Sequence, residues 1–249
     1  MRTNNPVFSR AFNKAGQQQH ALAGTKTMSV SGTIDKAVIL FFIVLIGATY
    51  AWNQFHAFDE TGVSPGSLMT IGLVVGIIAA LATIFKPHWA PISSVIYAGA
   101  EGLLLGSLTA MVNAYAPGIA IQAVLLTLGV LFTMLALYRF RIIRVTEKLR
   151  GGIISATGGI FIFYLIMMVM SMFGAQPAFM TNSSPLGIGI SLLIIGVAAF
   201  NLLLDFDFIE SASGKGLPGY MNWFAAFGLM VTLIWLYIEI LHMLSRLRE

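Results

Sequence analysis

From Ala37 to Leu244 charge interrupts the chain so rarely that it divides into seven apolar runs. These lie at roughly 37–54, 67–85, 93–112, 118–138, 152–173, 185–207 and 220–244. A helix needs about 20 mostly apolar residues to cross the hydrocarbon core of a bilayer. No water is available there, so such a run must satisfy its backbone N–H and C=O groups internally, as a helix. The expected fold is an all-α integral membrane protein with seven transmembrane helices. The joints carry the breakers this reading needs: SPG at 64–66, KPHWAP at 86–91 and GKGLPG at 214–219.

Composition agrees. Only 10% of residues are charged and 57% are hydrophobic, whereas a soluble domain carries about 25% charged residues. The absence of cysteine removes disulfides, thiolate metal sites and a cysteine nucleophile. The net charge of +4 does not signal nucleic acid, because the basic residues sit between spans, where they set topology. The expected partner is the lipid bilayer.

Residues 1–33 are polar, rich in Gly, Gln and Asn, and lack hydrophobic periodicity. They read as a flexible tail ahead of a membrane domain over 34–249. No signal peptide is expected, since the first apolar run is long enough to span. Thr33 is the expected helix cap, with Asp35 in the first turn.

Lys and Arg alternate by loop. The N-terminal segment carries five, and the successive loops carry zero, one, zero, five, zero and one. The segment RFRIIRVTEKLR, 139–150, lies four spans from the tail, so both fall on one side. Positive charge places that side, with the N-terminus, in the cytoplasm. Seven spans then put the C-terminus outside, against the preference of Arg246 and Arg248. A re-entrant last segment is the alternative.

Carboxylates within apolar sequence are the functional signal. Asp35, Asp59, Glu60, Glu147 and Glu249 fall in tails or loops, but Glu101, Asp205, Asp207, Glu210 and Glu239 fall in or at the ends of spans. An ionised side chain at mid-membrane costs roughly 2.5–3.5 kcal/mol on insertion scales, so such residues face the bundle, pair or take up a proton. Asp205 and Asp207 are about 200° apart around a helix and cannot share one face. Asp205 shares its face with Asn201, and Asp207 shares one with Glu210. His242 lies three residues after Glu239, which suits a proton partner. Against a functional role, Asp205, Asp207 and Glu210 sit near a span end, where acids reach water.

GLVVG at 72–76 and GLLLG at 102–106 are patterns that permit close helix contact. The run MMVMSM, 167–172, reads as adaptable packing. His20, His56, His88 and His242 are scattered and compose no metal site. SGKG at 213–216 lacks the residues of a phosphate-binding loop, and neither G-x-S-x-G nor H-E-x-x-H occurs. A retinal protein needs a lysine within a span, and Lys86 and Lys215 both lie in loops. No enzyme or resident cofactor is expected.

The seven spans, the FDFIE end of span six and LYIEILHMLSRL in span seven resemble the transmembrane Bax inhibitor-1 motif family. The opening MRTNNPVFSR is similar to that of a bacterial branch. The resemblance implies six helices surrounding a central seventh. It also implies a pH-sensitive calcium leak in which an acid of helix six pairs with one of helix seven. Matching the aromatic-Asp and Leu-Tyr-x-acid motifs places this gate at Asp207 and Glu239, which would also be transient Ca²⁺ ligands. If span seven starts at Tyr220, Glu239 lies about 28 Å further along its axis. Either that helix starts well outside the bilayer, or Glu239 pairs elsewhere, with Glu101 or His242.

The leading expectation is a pH-sensitive cation leak, with Ca²⁺ as permeant ion, in a bacterial inner membrane. Glu101, Asp205, Glu210 and His242 are the accessory or pore-lining candidates. One rival is a non-conducting regulator that binds other membrane proteins, such as a membrane-anchored protease. Another is a proton-coupled transporter using Asp207, Glu239 and His242 as a relay. Oligomeric state is left open by the sequence.

Overall fold

The computed structural model describes residues 27–58, 62, 64–174 and 184–248. The tail up to residue 26, with His20, and also Asp59, Glu60 and Glu249 lie outside the described residues. Seven long helices follow one another: α1 Val30–His56, α2 Pro65–Phe85, α3 Ala90–Tyr115, α4 Ile119–Arg139, α5 Glu147–Met172, α6 Pro185–Ser213 and α7 Met221–Arg246. A single 3-10 turn, Pro87–Trp89, separates α2 from α3. Each of the seven is long and apolar enough to cross a membrane, and each coincides with one apolar run of the sequence. All described elements are helical, apart from an isolated bridge between Thr27 and Pro218. α7 is the most deeply buried, with 61% of its most apolar stretch enclosed, against 11% for α5.

The first helix starts one turn earlier than its sequence suggests. Ser29 is the cap, its hydroxyl accepting from the Gly32 N–H at 3.0 Å. Thr33, the expected cap, lies inside the first turn and donates to the Ser29 carbonyl and to Asn222 Oδ1. Asn222 Oδ1 also accepts from the Ser29 N–H at 3.0 Å. This side chain at the start of α7 selects among Ser29, Ser31 and Thr33, all of which can cap a helix. Thr146 caps α5 more locally, accepting from the Leu149 N–H.

The chain divides into two compact units. The first comprises the chain up to Met111 together with Asp207–Val231; the second comprises Val112–Phe206 and the chain from Thr232 onward. In the first unit, α1 and α3 meet through glycines. A methyl group added at Gly102 would lie 2.5 Å from the Val44 carbonyl oxygen and 2.9 Å from the Gly47 Cα. One added at Gly72 of α2 would lie 2.6 Å from the Ala100 carbonyl. The two small-residue patterns are therefore close-contact seams, where dispersion between backbones replaces side-chain packing. Thr83 of α2 adds a hydrogen bond to Ser93 of α3 at 2.7 Å. Met28, Ile209, Leu217, Met221 and Phe224 form an apolar cluster at one end of this unit.

In the second unit the C-terminal arginines act as anchors. Arg246 donates to the Gly187 carbonyl and to Ser191 Oγ at the start of α6. Arg248 donates to the Pro117 carbonyl and to Gln122 Oε1 at the start of α4. α7 is continuous over 26 residues and ends where α4 and α6 begin. It is long and apolar enough to cross a membrane in one pass. The methionine run is largely exposed, with Met168 at 56% and Met172 at 79%, so it faces outward and does not fill a core.

Candidate functional site

Three carboxylates are held inside the helices, by different means. In the second unit, Glu239 is 4% exposed. Its Oε1 accepts from the Tyr164 hydroxyl of α5 at 2.5 Å. The same oxygen accepts from Trp235 Nε1, one turn back on α7, at 3.1 Å. A buried carboxylate stripped of water needs such donors, because leaving it unmet costs several kcal/mol. The sequence raised His242 and Glu101 as partners. The donors to Glu239 Oε1 are an aromatic hydroxyl and an indole. His242 stands on the same side of α7 as Glu239 and is exposed.

Asp205 of α6 also belongs to the second unit and is hydrogen-bonded to Thr232 of α7. Its Oδ2 is enclosed and has no hydrogen-bond partner among the described residues. Such unsatisfied buried oxygens are rare in folded proteins, and each calls for a physical explanation such as a bound water, an ion or a functional role. One turn back, Asn201 donates to Thr157 of α5 at 2.8 Å. The face shared by Asn201 and Asp205, as expected from their spacing, is thus the polar, inward face of α6.

Thr232, Trp235, Glu239, His242 and Arg246 are spaced 3, 4, 3 and 4 residues apart and share one face of α7. This stripe orders the second unit's polar groups along the helix. Asp205 is tied at Thr232 and Tyr164 at Glu239, while Ser191 and Gly187 are tied at Arg246. Thr232 and Glu239 are two turns apart, roughly 10 Å along the axis. Asp205 is thereby fastened to α7 two turns before Glu239.

In the first unit, Glu101 of α3 is half-buried and hydrogen-bonded to Tyr97, one turn earlier. Asp207 is half-buried and Glu210 exposed on α6. Among the described residues no three His, Asp or Glu side chains converge to hold a metal ion.

Of the sequence candidates, the structure gives Glu239, Asp205 and Glu101 defined polar partners. The sequence reading missed Tyr164, Trp235, Thr232, Tyr97 and Asn222. Thr232 and Trp235 could have been found by extending the i, i+3, i+7 pattern backward from Glu239. Tyr164 offers no comparable signal, since it is one aromatic in the apolar run FIFYLIMM.

A search of curated proteins returns no match, and neither does a search of solved structures. One family description does match, Bax inhibitor 1 like, over residues 5–249. Essentially the whole chain is covered, and its seven spans suit that description, so the protein belongs to the Bax inhibitor 1 like family of membrane proteins.

Proposed function

We propose that this protein is a pH-responsive cation leak, with Ca²⁺ as its main permeant ion, gated by protonation of carboxylates within the spans. It works in a bacterial inner membrane with its N-terminus in the cytoplasm, and it conducts without catalysing a reaction. The observation that carries this reading is the enclosed, unpartnered Oδ2 of Asp205, fastened through Thr232 to the face of α7 that bears Glu239. Family membership adds support for a membrane role.

The physics is direct. Protonated, Asp205 and Glu239 are neutral hydrogen-bonding groups that join α6 and α5 to α7. Ionised, they repel. Two charges as far apart as Thr232 and Glu239 are along the axis, roughly 10 Å, repel by about 1.7 kcal/mol at an effective dielectric near 20. Each also gains a desolvation penalty that water or a hard cation relieves, and carboxylate oxygens are the ligands Ca²⁺ prefers. Each carboxyl here has its own partner, so gating proceeds through two proton sites coupled along a helix and needs no proton shared between touching acids. Asp207 is the alternative helix-six member of the gate.

Ca²⁺ flux into proteoliposomes between pH 6 and 8 tests this. Flux that rises with pH, and loses that dependence in Asp205→Asn or Glu239→Gln, is the expected result. Loss in Asp207→Asn, with Asp205→Asn unaffected, would transfer the role to Asp207. Wild-type flux no greater than that of empty liposomes would remove the leak reading and favour a non-conducting regulator.

A further inference from the structure

The third carboxylate takes no part in that stripe. Glu101 projects from α3, where its polar partner among the described residues is the Tyr97 hydroxyl on the preceding turn. Tyr97 is itself 5% exposed and packs edge-on against Phe227 of α7, with ring centroids 4.9 Å apart. Across from the carboxyl stands Gly76 of α2. A methyl group there would come within 3.1 Å of Glu101 Oε1. The missing side chain leaves a niche that the carboxyl oxygen occupies.

Among the described residues, the surroundings of the niche are otherwise uncharged. α2 presents glycine, α7 reaches Tyr97 with a phenylalanine, and α1 meets this stretch of α3 through Gly47 and Ala48. The titratable group facing Glu101 is therefore Tyr97, from its own helix. A carboxylate with one phenol donor and no cation is expensive within a bilayer and is relieved by binding a proton. The niche is not sealed, since Glu101 is half-buried. A partly exposed carboxyl of this kind can exchange a proton and can be reached by a small reagent.

We propose that Glu101 is a reversible proton-binding site, separate from the carboxylates of the second unit, with Tyr97 as its positioning residue. The proposal is independent of the leak reading, since it concerns proton occupancy and not ion flux.

The test is labelling by dicyclohexylcarbodiimide of the full-length protein in liposomes, read by peptide mass spectrometry over pH 5–9. The reagent reacts with the protonated acid. The carboxyl oxygen adds to its central carbon, the acid proton passes to a reagent nitrogen, and acyl migration to nitrogen leaves a stable N-acylurea. Labelling at Glu101 that falls as pH rises, and is absent in Glu101→Gln, is the expected result. In Tyr97→Phe the pH profile should shift, because the carboxyl loses the phenol that positions it. No adduct at Glu101 at any pH would overturn the proposal. So would an adduct whose yield ignores pH, because it would mark an acid that never releases its proton. The wild-type pH profile alone decides the proton-binding claim, so a misfolded variant would not obscure it.

Discussion

The hydroxyl of Tyr164 and the carboxylate of Glu239, 75 positions apart in the chain, meet at 2.5 Å and bind α5 to α7. Trp235 donates to the same oxygen. Tyr164→Phe keeps the ring and removes one of these donors from a buried acceptor. The expected loss is about 1–3 kcal/mol, visible as a lower thermal midpoint in detergent. Glu239→Gln combined with Tyr164→Phe should cost less than the sum of the two, since both changes dismantle one contact.

Thr232→Val should behave differently from Thr232→Ser. Valine matches threonine in shape but leaves Asp205 without its hydrogen-bond partner, while Oδ2 is already unmet. Valine should therefore destabilise by about 1–3 kcal/mol, and serine, which retains the hydroxyl, by less. Thermal melts of the two variants side by side check this. Equal melting points would show that the Asp205–Thr232 bond contributes nothing.

Glycines in this chain should divide by position. Gly102→Ala thrusts a methyl into the Val44 carbonyl and the Gly47 Cα, and backbone atoms cannot swing away. Overpacking of this kind costs about 1–3 kcal/mol. Gly129→Ala and Gly158→Ala meet nothing within 4 Å and should be neutral or stabilising by up to about 1 kcal/mol through helix propensity. Comparing the three by thermal unfolding in one detergent separates contact seams from bare helix surface.

Much of the fold could be read from residues alone. Seven long, mostly apolar runs leave the backbone no choice but helix, and the glycine pairs of GLVVG and GLLLG foretold close contact. Helix starts were harder. Ser29, Ser31 and Thr33 can all cap a helix by type, and Asn222, about 190 positions away, holds Ser29 and Thr33 in place. The acids show the same limit. Spacing put Asp205 and Asp207 on opposite faces of α6, but only the packing of Thr157 and Thr232 reveals that the Asp205 face points inward. The flanking apolar residues marked Glu239 as buried, yet its partner Tyr164 arrives from another helix with no local signal.

Asn222→Ala should weaken the start of α1. It removes the acceptor for both the Ser29 N–H and the Thr33 hydroxyl, at about 1–3 kcal/mol. Limited proteolysis should then cut faster around Met28. Asn222→Asp should preserve the acceptor and most of the protection.

That clasp also has a bearing on biogenesis. The residue that completes the beginning of α1 stands at the beginning of α7, so it leaves the ribosome after six helices have already been made. Until then the first helix enters the membrane with its end unfinished, open to fraying and to proteases. A nascent chain that stalls before Tyr220 thus carries an exposed flaw at its oldest segment, and only a finished chain can hide it.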